Sequence, residues 1–217
     1  MNNNAATALG RMLGNQQSER PRRQARALAA LAASTRKLAE SIIFTDLPAS
    51  EVEEIHAYLN DILVRLNSSI RKDASVGYID DSGRLNQPGS PAIGLLNAVA
   101  PPLDINISDQ GTAHCTFTLG AAYEGMPGLV HGGILALVMD QILVTAAMQH
   151  GTPVTSSMEL RYIHPAPCFV PLTAEATTVG VEGRCSIVKA RIARPDKRTA
   201  VRARGSFALP ADLMAPD

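Results

Sequence analysis

The stretch "PGLVHGGILALVMDQILVTAAMQH", residues 127–150, decides how the rest of the chain is read. From about residue 131 to 149 it is dense in Leu, Val, Ile and Ala, the composition of one long helix that is apolar on most of its sides. Such a helix needs other elements packed around it. Two features work against its stability. It opens with His131-Gly132-Gly133, and paired glycines weaken a helix end. It also carries one carboxylate, Asp140, inside the apolar run, and a buried acid is costly unless partnered.

The sequence around this helix has the opposite periodicity. Before it, "LDINIS" and "TAHCTFTL" alternate polar and apolar residues on either side of "DQG", a hairpin connection. After it come "PVTSSMELRYI", "VPLTAEATTV", "CSIVKARIA" and "TAVRARGSFAL", the last three joined by turns at "VEGR" and "RPDKR". Alternation in strands of this length predicts one antiparallel sheet with a solvated face. Only one long helix is available for the other face. The order β-β-α-β-β-β-β therefore predicts an α+β domain in which the sheet wraps around the central helix, spanning residues 97–210 with a tail at 211–217.

Residues 1–25 read as a solvated, partly disordered arm without the compact apolar region of a secretory signal. Residues 26–72 read as a helical hairpin extension. Leu28, Leu31, Leu38, Ile42 and Ile43 recur at helical spacing, "TDLPAS" breaks the pattern, and Ser50 with Glu53 forms a capping box for a second stripe from Val52 to Ile70. Residues 73–96 are a linker rich in turn residues.

Composition narrows the function. With 20 basic and 20 acidic residues the chain has no global field for nucleic acid or anionic membrane. No apolar run reaches spanning length, because Asp140, Gln141 and His150 interrupt the longest. Cys115, Cys168 and Cys185 are odd in number and lack metal-ligand spacing, which fits a reducing, cytoplasmic setting and predicts no metal. His56, His114 and His150 have no supporting pattern.

The start of the central helix has orphan N–H groups and a partial positive charge, and Gly132 and Gly133 remove the side chains that would shield them. A carbonyl oxygen could approach those amides as it would an oxyanion hole. Asp140 lies seven residues after Gly133, on nearly the same face and about 10 Å along the axis. Acid–base or nucleophilic contact needs about 3 Å. Two such helices packed antiparallel about a two-fold axis would bring each helix start beside the other chain's Asp140, making two equivalent sites.

At these residues the sequence resembles the hotdog-fold acyl-CoA thioesterases, in particular the PaaI-type group and the mammalian thioesterase superfamily members. The block "YEGMPGLVHGGILALVMD" carries the likeness, which covers residues 97–209 and is weak or absent before them. The resemblance implies a hotdog fold, a homodimer or a homotetramer built as a dimer of dimers, and hydrolysis of acyl-CoA in lipid metabolism, with coenzyme A as part of the substrate and no separate cofactor. It implies that Gly133, with Gly132 beside it, polarises the thioester carbonyl, that Asp140 is nucleophile or general base, and that His131 orients the thioester. It puts Thr155 near the acid to hold water, with Ser156 as the rival. It nominates Arg161, Thr173 and Arg184 as substrate contacts. The chain departs from the family at Gly125, where many members have Asn or His, and at His164, where members often show Arg before the proline. Two other functions fit the same fold: an enoyl-CoA hydratase or dehydratase, and a non-catalytic acyl-CoA binding protein. The hydratases pair a His with an acid to move a proton, whereas here the only acid near the helix lies two turns from His131.

Overall fold

The computed structural model describes residues 22–70, 78–79, 85–151 and 153–209. Most of the arm predicted for residues 1–25, much of the 73–96 linker and the whole 211–217 tail lie outside the described residues. The first helix, α1, spans Arg22–Phe44, and α2 spans Ala49–Asn67. Two-residue strands β1 (Tyr78–Ile79) and β2 (Leu85–Asn86) pair with each other. Then come β3 (Asn106–Ile107), β4 (Ala113–Phe117), the central helix α3 (Gly132–Ala147), β5 (Val154–Tyr162), β6 (Leu172–Glu182), β7 (Cys185–Ala193) and β8 (Thr199–Ala208). Strands β3 to β8 form one antiparallel sheet in the order β3-β4-β6-β7-β8-β5. This is the predicted α+β arrangement of a sheet around one helix.

Period-two alternation builds the core. On β7, Ser186, Val188, Ala190 and Ile192 are buried while Lys189 and Arg191 are exposed, and β8 buries Val201, Ala203 and Phe207 while exposing Arg202 and Arg204. The buried face meets Leu135, Val138, Met139, Ile142, Leu143, Ala146 and Ala147 of α3. Removing these side chains from water is the main stabilising term, at about 1.5–3 kcal/mol for each large aliphatic residue. The helix is apolar on its other sides as well, yet the sheet covers only part of it. Ile134, Leu137, Val144 and Asp140 remain half-exposed.

The N-terminal helices sit differently from each other. Helix α1 docks on the domain: Arg36 donates from Nε to the Ala100 carbonyl at 3.0 Å and from Nη2 to that of Asn97 at 3.2 Å, and Glu40 accepts from the Ala121 amide at 3.3 Å. The Phe44 ring lies 6.1 Å from that of Phe169, between centroids. Helix α2 buries no residue, so Val52, Ile55, Ile62, Leu63 and Leu66 stay exposed. The capping box expected at Ser50 and Glu53 does not form. Pro48 is the N-cap residue, its carbonyl accepts from the Glu51 and Val52 amides, and Ser50 is already inside the first turn. No described helix is long and apolar enough to cross a membrane.

Candidate active site

His131 is the N-cap of α3, and its Nδ1 accepts from the Gly133 amide at 3.0 Å. A histidine ring thus occupies the position a capping Ser or Asp oxygen would take. The Gly133 N–H is held by that ring, while the Gly132 amide has no acceptor among the described residues. The His131 backbone is fixed from behind by its own N–H, which donates to the Tyr123 carbonyl at 2.9 Å. Tyr123 in turn donates its buried hydroxyl to the Ala100 carbonyl at 3.0 Å. The departure at Gly125 has a steric reason. A Cβ there would sit 2.9 Å from the His131 Cα, too close for any side chain unless the backbone moved.

Tyr162, at the far end of β5, donates its hydroxyl to the Gly132 carbonyl at 2.8 Å and lays its ring about where a Gly132 side chain would point. With His131, Leu135, Met126, Ile163 and His164 it lines a groove of 680 Å³ at the helix start. His164, which stands in the position of the family's arginine, therefore opens onto the same groove as His131. Tyr162 was not singled out in the sequence. The signal was available: it follows Met158 and Leu160 at period two, on the face turned toward the helix.

Two turns along α3, Asp140 accepts a hydrogen bond from Thr155 Oγ1 at 2.9 Å. Strict alternation along β5 would have put Ser156 on the helix side, with Met158 and Leu160, and Thr155 on the outer side with Ser157. A β-bulge between Thr155 and Ser157 reverses this, so that Thr155 is paired with the buried Phe207 and Ser157 with Ser206. The bulge leaves Ser156 without a cross-strand partner and turns Thr155 toward the acid.

The structure brings His131, Gly132 and Gly133 together with Tyr162, and Asp140 together with Thr155. It does not bring these two clusters together within one chain. Arg161 points outward and is paired with Glu159 at 2.9 Å, Thr173 is exposed on β6 between Thr116 and Ala193, and Arg184 is exposed in the β6–β7 turn beside Gly183, whose φ is +59°. These three residues share no cluster with either group. Among the described residues β5 is an outer strand of the sheet, paired only with β8; its residues from Val154 to Ser157 are exposed, and the Asp140 side of α3 is half-exposed. An unpaired edge and an uncovered apolar helix face adjoin each other. Among the described residues no group of three or more His, Cys, Asp or Glu side chains could hold a metal ion.

Residues 127–201 match the family model for the thioesterase superfamily. Acyl-coenzyme A thioesterase THEM4 of Rattus norvegicus is 31% identical over 85 residues, covering 39% of this chain and 37% of the rat protein. The Mus musculus protein of the same name is 30% identical over 38% of this chain and 36% of its own length. The chain thus matches little more than a third of the length of these curated relatives. A crystal structure of a thioesterase superfamily protein superposes with a TM-score of 0.76 at 29% identity, covering 84% of this chain and 90% of that one. Residues 97–209 alone cannot make up that share, so this likeness takes in much of the N-terminal region as well. By sequence block, strand order and superposition together, the chain resembles the hotdog-fold thioesterases, and its sheet around one central helix is that fold.

Proposed function

We propose that this protein hydrolyses acyl-CoA thioesters to free acid and coenzyme A at two equivalent sites, each shared by two copies of the chain. The observation that carries the reading is the Thr155–Asp140 hydrogen bond on the open side of α3, two turns from a groove ending in the glycine pair. A carboxylate fixed by a hydroxyl and left facing outward is arranged for a group that arrives from outside the chain. About 10 Å separates it from its own helix start along the axis. Antiparallel apposition of two α3 helices, with the β5 edges adjoining, closes that gap from the neighbouring copy and covers Ile134, Leu137 and Val144.

In the shared site the thioester oxygen accepts hydrogen bonds from the helix-start amides, where negative charge on the tetrahedral carbon's oxygen is stabilised. The His131 ring nitrogen, 3.0 Å from the Gly133 amide, marks where an acceptor atom sits, and the carbonyl replaces it as the ring turns toward the groove. Asp140 of the other copy then has two routes. As a nucleophile it bonds to the carbonyl carbon and expels the CoA thiolate, and water cleaves the resulting anhydride. As a general base it takes a proton from water while that water attacks the same carbon. Thr155 holds the carboxylate in either case. Arg161, Thr173 and Arg184 are the proposed contacts for coenzyme A, which enters as part of the substrate. The reaction takes no separate cofactor, and the assembly is a homodimer. A reducing, cytoplasmic setting fits three cysteines that are all free.

A panel of acyl-CoAs with thiol detection tests the proposal. Release of free CoA supports it. A change in double-bond absorbance without thiol release gives the hydratase reading, and saturable binding with neither gives the non-catalytic one.

A further inference from the structure

The face of the sheet turned away from α3 carries a charge pattern of which the hydrolytic reading uses only Arg161, at its margin. Two cross-strand rows lie side by side there. One runs Thr177, Lys189, Arg204, Glu159 across β6, β7, β8 and β5, and the other runs Glu175, Arg191, Arg202, Arg161. The four central positions, Lys189, Arg204, Arg191 and Arg202, are all basic and directly adjacent in register. Like charges directly opposed across strands are destabilising. Glu175 is ion-paired with Arg191, and Glu159 with Arg161. Among the described residues Lys189, Arg202 and Arg204 have no carboxylate partner. In a chain with 20 basic and 20 acidic residues, this is a local excess of three positive charges at one spot.

We propose that this outer face binds a compact polyphosphate, the di- or triphosphate group of a soluble ligand, at a site separate from the thioester groove. The size of the cluster supports a compact ligand. Adjacent strands lie about 4.8 Å apart and same-face residues about 7 Å apart along a strand, so the four cations bound a patch only a few ångströms across. Glu159 and Glu175 close it at diagonal corners, and the next pair along β7 and β8, Ile187 and Ser206, is uncharged. A nucleic-acid strand or a lipid surface would need the positive charge to continue. The groove over the patch measures 630 Å³. Phosphate oxygens would replace the missing carboxylates as acceptors for the two unpaired arginines, with bidentate geometry available at each guanidinium. The same charge pattern opposes direct packing of two such faces against each other.

Calorimetric titration of the full chain with sodium tripolyphosphate, at ionic strength matched with sodium sulfate, tests this. The expected result is saturable binding of one tripolyphosphate per chain, weakened by about tenfold or more in the double variant Arg202→Gln, Arg204→Gln. Glu175→Gln, which releases Arg191, should tighten binding. Asp140→Asn should leave it unchanged, so failure of the hydrolysis proposal and failure of this one are separable. Equal heats for tripolyphosphate and sulfate, or an unaffected double variant with a wild-type circular dichroism spectrum, would overturn the proposal. So would tighter binding per phosphate to a single-stranded oligonucleotide or to phosphatidylserine vesicles. If the double variant fails to fold, amide shift mapping on the wild-type chain decides. Shifts centred on Lys189 and Arg204 support the site, and shifts confined to the His131–Tyr162 groove overturn it.

Discussion

Thr155 donates its hydroxyl to Asp140 Oδ1 at 2.9 Å, tying an outer strand of the sheet to the side of the central helix that the sheet leaves open. The bond depends on a one-residue bulge, because without it the threonine would face the other way. Both groups are accessible, so the bond contributes little net stability, and its value lies in fixing the carboxylate rotamer. Thr155→Ala should therefore lower kcat by about tenfold or more with little change in melting temperature, while Thr155→Ser retains most activity. Steady-state kinetics on both variants, with thermal melts alongside, provide the check. An active Thr155→Ala enzyme would remove the hydroxyl from the mechanism.

Asp140→Asn keeps the shape of the side chain and its ability to accept from Thr155 through the amide oxygen, but removes the charge. On the order of a hundredfold loss in kcat is expected, with the oligomer intact by size exclusion. Hydrolysis by the wild-type chain over many turnovers in oxygen-18 water separates the two routes. Label appearing in the Asp140 carboxylate identifies the nucleophile, whereas general-base attack by water puts label only in the acid product.

Tyr162→Phe removes the hydroxyl that anchors the Gly132 carbonyl at 2.8 Å but keeps the ring that fills the space beside the glycine. A neutral hydrogen bond of this kind contributes about 0.5–1.5 kcal/mol. The helix start should loosen, and kcat/KM should fall by about threefold to tenfold while the melting temperature drops only slightly. Acyl-CoA kinetics with the Phe variant measure this, and unchanged kcat/KM would show that Tyr162 does not position the helix start.

Cys115 is buried under the sheet, and desolvation, partly offset by a hydrogen bond with the Ala174 backbone, raises its thiol to about 11 from an ordinary value of 9.0. The unfolded thiol ionises first as pH rises. The contribution to stability is thus fully present below pH 9.0 and is lost as pH climbs toward about 11. Denaturant melts between those pH values should show the wild type losing stability faster than Cys115→Ala. Parallel slopes for the two proteins would contradict this account.

The fold could be read from periodicity because two incompatible periods meet at one place. The run from Ile134 to Ala147 has no polar face to put in water except around Asp140 and Gln141, and the strands beyond it alternate apart from local bulges such as the one at the start of β5. The glycine pair and the acid were visible as residues whose local cost needed a reason. Three things were not visible. The choice between Thr155 and Ser156 turned on a bulge, and in "VTSSMEL" nothing distinguishes the bulged serine from its neighbours. The capping of Gly133 by His131 depended on a ring rotamer, which spacing does not encode. The capping box at Ser50 failed because Pro48, fixed near the φ its ring imposes, started the helix two residues earlier.

A shared site makes a quantitative demand on mixed dimers. In Gly133→Ala the added Cβ would lie 3.1 Å from the His131 Nδ1, crowding the position where a carbonyl oxygen is proposed to bind. Each homodimer, Gly133→Ala or Asp140→Asn, then has two damaged sites. A heterodimer of the two has one site with both lesions and one with neither. Co-expression with two different tags and tandem purification yields the heterodimer alone, and its rate should recover to about half that of the wild-type dimer, since one of two sites is whole. Sites contained within single chains predict the opposite outcome: each chain keeps its own lesion, and the heterodimer stays as slow as the mean of its parents. Rapid subunit exchange would blur the contrast, so the rate is read immediately after purification and again after mixing time, with the early value decisive.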